Sequence, residues 1–268
     1  AALTTAQMQA ITTAQFASLS STQLAALGSA DVAAITTADL KAMGTTALAG
    51  LSADQIASLT TAQIAALGTA HIAALSAEQV TGLSVGSVTA LSSSQVSVLG
   101  STQLVAFNTA QLAAIGTDDI KSLATAALHA LGADQVAAMT SNQFGALTTA
   151  QAVALTAEQL GTLGTASLNA MSSADFAVLS STQVAALTAA QVGKLETADL
   201  AALTTAALKG LSVEGVAALT TAQMLAISTA QFASLSSTQL GALGSADMAA
   251  ITTADLKAMG TAALAGLS

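Results

Sequence analysis

Large apolar residues return along this chain in steps of five and three. In residues 11–35, "ITTAQFASLSSTQLAALGSADVAAI", they stand at Ile11, Phe16, Leu19, Leu24, Leu27, Val32 and Ile35. One series recurs every eight residues from Leu3 through Ile11, Leu19, Leu27 and Ile35 to Leu267. A second, Met8, Phe16, Leu24, Val32 and onward to Leu264, keeps the same step with one weak member, Ala152. The unit is an octad, and no insertion or deletion disturbs it.

Neither regular element accommodates this pattern unbroken. Eight residues at about 100° each leave an α-helical stripe drifting by roughly 80° per octad. On a β-strand, steps of five and three place successive apolar residues on opposite faces. Something must reset the phase every octad, and the residue after each member of the first series is suited to it: Thr12, Ser20, Gly28, Thr36, Gly44 and Ser52. Ser, Thr, Asn and Gly are the residues a helix N-cap accepts. Three positions later stand Gln15, Gln23, Asp31, Asp39 and Gln55, the spacing of a capping box.

Each octad is therefore numbered from its N-cap, with N′ before it and N1 to N6 after. The step of five joins N′ to N4, as Ile11 to Phe16, which is a hydrophobic staple across a helix start. The step of three joins N4 to the next N′ along one helical face. Charge sorts in the same register. All 14 acidic residues fall at N-cap (Glu196), N2 (Asp54, Glu78, Asp118, Asp134, Glu158, Glu214) or N3 (Asp31, Asp39, Asp119, Asp175, Asp199, Asp247, Asp255), and the five lysines at N5 or N6. A helix favours acids in its first turn and bases in its last, whereas a β-solenoid gives no reason for the sorting.

Pieces this short are marginal as isolated helices, so octads must stack on one another. The pattern predicts an all-α fold, a solenoid or superhelix of two-turn helices, one per eight-residue repeat, with two to four octads per turn. The N6 site, small in Ala10, Ser18, Ala26 and Gly50, lets neighbouring helices approach. The two apolar series are expected inside, and the Thr, Gln and Ala faces outside. Residues 1–268 read as a single continuous octapeptide-repeat array and as a segment of a longer repetitive protein. Residues 3–52 and 219–268 are nearly identical at an offset of 27 octads, and "ADLKAMGTTALAGL" at 38–51 is echoed at 118–131 and 198–211. Neither end has a distinct capping repeat, so the ends are expected to stack head to tail or to continue into further octads.

Composition narrows the function classes. The chain is 53% hydrophobic, with Ala the commonest of these residues, and has 2% aromatic and 7% charged residues. Its mean hydropathy of +0.70 does not imply a membrane span, because Ser or Thr interrupts every apolar run well short of about 20 residues. The first residues lack the basic stretch and apolar core of a secretory signal, leaving a fragment or another export signal as the expectations. A net charge of −9, with five dispersed lysines and no arginine, argues against nucleic acid as a partner. Without cysteine there are no disulfides, thiol catalysis or Cys-ligated metals.

Candidate chemistry is sparse. "GLSVG" at 82–86 matches the G-x-S-x-G nucleophile elbow, but Ser84 is the N-cap of its octad and no α/β alternation surrounds it. His71 at N3 and His129 at N5 lack helical spacing to each other and clustered carboxylates, and are expected as solvated surface residues rather than metal ligands. Asp118 and Asp119, the only adjacent acids, lie in no calcium-loop pattern and read as complements of a helix dipole. Phe16, Phe107, Phe144, Phe176 and Phe232 occupy N4 or N′ and are expected in the core. No catalytic, cofactor-binding or metal residue is assigned, and no small-molecule ligand is expected.

The string "LTTAQIAAL" at 59–67 and its variants over the whole chain resemble the Leu-Thr-Thr-Ala-Gln-type octapeptide repeats of very large bacterial secreted or surface proteins, which are adhesin- or filament-like. The resemblance implies a non-enzymatic structural protein: an extended rod, fibre or filament at or outside the cell surface, self-associating by head-to-tail or lateral stacking. The alternative is an adhesin-like module presenting a repeated Thr/Gln face, including Thr13, Thr37 and Thr61, to a polymer, glycan or ice surface.

Overall fold

The computed structural model describes residues 5–267; Leu3, where the N′ series begins, lies outside them. Among the described residues there are 33 helices and no strand, from Thr5–Ala10 to Thr261–Leu264, each of four to six residues and one to an octad. The chain falls into two units, Ala1–Met139 and Thr140–Ser268, each built internally by the same rules.

The phase reset is visible at the backbone. Thr12 is extended (φ −72°, ψ 153°) and opens the helix Thr13–Ala17. Its hydroxyl accepts from the Gln15 N–H at 3.4 Å, and Gln15 Oε1 accepts from the Thr12 N–H at 3.0 Å, completing the capping box. At the far end Ser18 is still helical, and the Leu19 N–H donates to the Phe16 carbonyl at 3.0 Å, a tighter three-residue turn that finishes the second turn. Ser20 is extended again (φ −79°, ψ 161°) and starts the next helix. At Met43 and Gly44 both residues of the joint are extended. No described residue has a positive φ, so these helices end without the left-handed residue that commonly caps a C-terminus. Their last carbonyls are left to be satisfied from elsewhere.

Within each unit, helices pack against the third helix along the chain. In the first unit Thr13–Ala17 lies against Thr37–Ala42, and that against Thr61–Ala66; in the second, Ser173–Phe176 lies against Thr197–Ala202, and that against Thr221–Ala226. A coil of the solenoid is thus three octads.

The N4 and N′ series line the interior as the spacing predicts. Ile56, Ile64, Ile72 and Val80 at N4 are at most 1% exposed, and Leu59, Leu67 and Leu75 at N′ are 3–4% exposed. Ala152, the weak member, is fully buried, and all five phenylalanines are core residues. Close approach between coils is strictest at four N6 glycines. A Cβ on Gly50, Gly82, Gly210 or Gly266 would stand 2.1–2.3 Å from the carbonyl oxygen of Ser21, Ala53, Ser181 or Ser237 respectively, the N1 residue of an octad in the preceding coil. These are backbone atoms that cannot rotate away.

Candidate functional site

One polar position recurs at the contact between coils, and it is N3. Gln95 shows how it works. Its Oε1 accepts from the Ser92 N–H at 2.9 Å while its Nε2 donates to the carbonyls of Ile64 at 3.0 Å and Leu67 at 2.8 Å. Those are the N4 and N′ carbonyls at a helix end and joint in the preceding coil. A side-chain amide has an acceptor at one oxygen and two donors on its nitrogen, so one glutamine caps its own helix start and satisfies the end of another. Gln55, Gln63, Gln79, Gln103 and Gln111 make the same pair of donations in the first unit, and Gln183, Gln191 and Gln223 in the second.

The glutamines are accordingly buried, from 1% exposed at Gln111 to 6% at Gln183. The expected outward Gln face is corrected. The capping-box half of the role is readable from spacing, but the second half depends on carbonyls that only the assembled coils bring within reach. In the first coil, Gln15 and Gln23 make the cap bonds and stay exposed. Threonine behaves as expected: Thr13, Thr37 and Thr61 at N1 are exposed.

Aspartate at N3 follows a different rule. One methylene shorter than glutamate, it meets the hydroxyl of an N1 residue on the adjacent coil. Ser93 donates to Asp119, Ser173 to Asp199 at 2.6 Å, and Thr221 to Asp247 at 3.1 Å. Every one of the seven N3 aspartates has Ser or Thr at that N1 position, whereas glutamine tolerates Ala53 before Gln79 and Val85 before Gln111. A hydroxyl there offsets the cost of burying a carboxylate, and an amide that already has its carbonyls does not call for one. Asp175 is 1% exposed with one oxygen, Oδ1, lacking a partner; Thr149 occupies the corresponding N1 site.

Electrostatics follow from these partners. Burial pushes the Asp199 carboxyl above its ordinary 3.8, and the charges of Glu196 and Asp175 add to this, against the opposing bond from Ser173. At Asp255 burial acts in the same direction but is outweighed, and hydrogen bonds from the Thr252 hydroxyl, the Thr229 hydroxyl and the Thr252 backbone hold the carboxyl below 3.8.

His71 is also corrected. It is 8% exposed, not solvated. Its Nδ1 accepts from the Gly68 N–H at 3.1 Å, and its Nε2 lies 2.7 Å from the Met43 carbonyl. The imidazole reproduces the glutamine bridge at the same N3 site.

The remaining candidates take ordinary places. Ser84 caps its helix, accepting from the Ser87 N–H at 3.0 Å. His129 is exposed. Asp118 is 97% exposed and pairs with Lys121 at 3.6 Å, while Asp119 takes the Ser93 hydroxyl, so the two adjacent acids do not act together. Among the described residues no three His, Asp or Glu side chains converge as a metal site would need, and no helix is long and apolar enough to cross a membrane. An open groove of about 610 Å³ runs between coils, lined by Ser181, Ala185, Thr205, Lys209 and Gly210 among others.

The family model described as the ALTTAQ repeat matches five segments: 1–37, 32–69, 112–149, 152–189 and 192–228. Together they span more than half of the chain, and the last three start five octads apart. No curated protein matches the chain.

Proposed function

This chain belongs to the ALTTAQ repeat family, and from that footing we propose that it is a structural repeat protein whose coils build an extended rod, fibre or filament at or outside a bacterial cell surface. The observation that carries the reading is where the polar side chains go. The N-cap hydroxyls bond their own helix starts, the N3 amides bridge coil to coil, and the N3 carboxylates of Asp119, Asp199 and Asp247 take hydroxyls from the adjacent coil. Polar groups of the kind that serve a ligand elsewhere are engaged here in holding the stack, and we read the chain as non-enzymatic.

Self-association belongs to the same proposal. Leu256 and Leu264, at N4 in the last described coil, are each 42% exposed, whereas Ile64 and Leu104 at N4 in interior coils are fully buried. A further coil laid on in register, of the same chain or of a second copy, would cover them and could bring amides like those of Gln15 and Gln23 to carbonyls of the kind that Gln95 meets. Negative-stain microscopy of the purified chain tests this. Rods or filaments with a regular axial repeat are expected; compact, featureless particles at all concentrations overturn it. A second reading, a module that binds a regular polymer surface, is favoured only by the exposed N1 threonines. Replacing Thr37 and Thr61, which stand opposite Gln63 and Ser87 and not an N3 aspartate, by Ala would abolish such binding while leaving assembly intact.

A further inference from the structure

We propose that His71 makes one coil contact of this solenoid acid-labile, so that protonation opens the joint between the segment ending at Met43 and the helix Thr69–Ala74. The tautomer is fixed by its neighbours. A backbone N–H only donates and a carbonyl only accepts, so Nδ1, which receives the Gly68 N–H at 3.1 Å, is unprotonated, and Nε2–H donates to the Met43 carbonyl at 2.7 Å. A proton added at Nδ1 confronts the Gly68 N–H donor directly. The cap bond must break, and a cation is left in a site only 8% exposed. The bridging side chains at the neighbouring octads are Gln63 and Gln79, which do not titrate.

Both hydrogen-bond partners of the imidazole are uncharged backbone groups, and among the described residues no carboxylate is bonded to it. The helices packed on Thr69–Ala74 are Thr45–Leu48 and Ser93–Val96, and neither carries a titratable group. The preceding helix Thr61–Ala66 carries none, and the following one, Ala77–Thr81, carries only the exposed Glu78. On the helix Thr37–Ala42, Asp39 is buried with its carboxylate bonded by the Thr36 hydroxyl, and Lys41 is exposed and of the wrong sign. Because each coil contacts only its neighbours, opening here exposes Ile72, Leu75 and Met43 without unfolding distant coils.

The sign follows from linkage. The open form has room for a second imidazole proton and the closed form, with Nδ1 facing the Gly68 N–H, does not, so the open population rises as pH falls, by at most about tenfold per pH unit. Hydrogen exchange of the full chain between pH 7.5 and 5.0, corrected for intrinsic rates, reads this directly. Expected is a rise of about tenfold or more in opening across 43–48 and 68–75, absent from His71→Gln, which installs the residue of the flanking octads. Equal pH responses in the two chains overturn the proposal, as does a wild-type joint whose opening is flat with pH. Nitrogen-15 shifts of the imidazole give a second readout: the Nε2–H form supports it, and an Nδ1–H form at neutral pH overturns it.

Discussion

Glutamate satisfies a capping box as well as glutamine does, yet all seven acids at N3 are Asp, while glutamate occurs at N2 and once at N-cap. The coil contact supplies a reason, and Gln95→Glu tests it. The new side chain keeps the acceptor that faces the Ser92 N–H. In place of Nε2, however, it sets a carboxylate oxygen where the Ile64 and Leu67 carbonyls lie at 3.0 and 2.8 Å, at a site 3% exposed. Two favourable donations become two repulsions between oxygens.

The apolar control, Gln95→Leu, only removes bonds. It leaves the Ser92 N–H and the Leu67 carbonyl without these partners, while the Ile64 carbonyl keeps the Leu67 N–H at 3.2 Å. At about 1–3 kcal/mol per buried orphan, the loss comes to roughly 2–6 kcal/mol. The ionised Glu variant should be worse than this at pH 7. Its folded pKa is driven above the unfolded value of about 4.3, each unit costing about 1.4 kcal/mol of stability at neutral pH. A raised acid regains its stability as pH falls through the folded pKa, because the neutral O–H can donate to one carbonyl. Exchange protection over 61–67 and 92–99, measured at pH 7 and pH 4.5, should therefore place Glu below Leu at neutral pH and show a selective recovery in acid. A Glu variant as protected as wild type at pH 7, or one that loses ground in acid relative to Leu, would refute the assignment of N3 as a donor to the adjacent coil.

Other substitutions probe the remaining contacts. Gly210→Ala puts a methyl 2.2 Å from the Ser181 carbonyl oxygen; forcing the coils apart should cost about 1–3 kcal/mol, seen as a lowered thermal midpoint. Gly44→Ser meets nothing within 4 Å and adds a cap hydroxyl to a helix start that lacks one, so a gain of about a few tenths of a kcal/mol is expected in the same melt. Asp199→Asn removes a carboxyl whose folded pKa is raised by burial and by Glu196 and Asp175. The stability that a raised acid contributes is present at low pH and lost as pH rises through its folded value. The Asn variant should thus match or exceed wild type at pH 7, and its advantage should fade toward pH 4. An Asn chain that melts lower at pH 7 would count against burial as the governing cause.

Much of the fold is legible from local rules because the octad is a local object. Ile11, Thr12, Gln15 and Phe16 lie within six residues, and their spacing alone specifies a cap, a staple and a short helix. The number of octads per coil is not legible, because it depends on the angle that two extended residues such as Met43 and Gly44 impose between helices. The burial of Gln95 and His71 is hidden for the same reason: their carbonyl partners lie 28 and 31 residues away in the first case and 28 in the second. The absence of Glu at N3 is the one local sign that capping is only half of the selection there.

Two periods then coexist in one chain, and their mismatch has a mechanical consequence. The last three family matches advance by five octads, and the fold turns every three. N3 is too small to bridge at Ala47, Ser87 and Ala127 in the first unit, and at Ser167 and Ala207 in the second, each five octads from the last within its unit; Gly215 and Ala263 are small N3 sites outside that series. Five octads are one coil and two-thirds, so successive unbridged octads fall on different thirds of the coil. Within each unit none is stacked on another in the next coil, where the residue three octads on from Ala47 is His71, from Ser87 is Gln111 and from Gly215 is Gln239. A repeat of three or six octads would align every gap along one side and leave a seam there without amide bridges. Five distributes the gaps around the stack within each unit, so that Ala47 is followed in the next coil by the bridging His71, and Ser87 lies between the bridging Gln63 and Gln111.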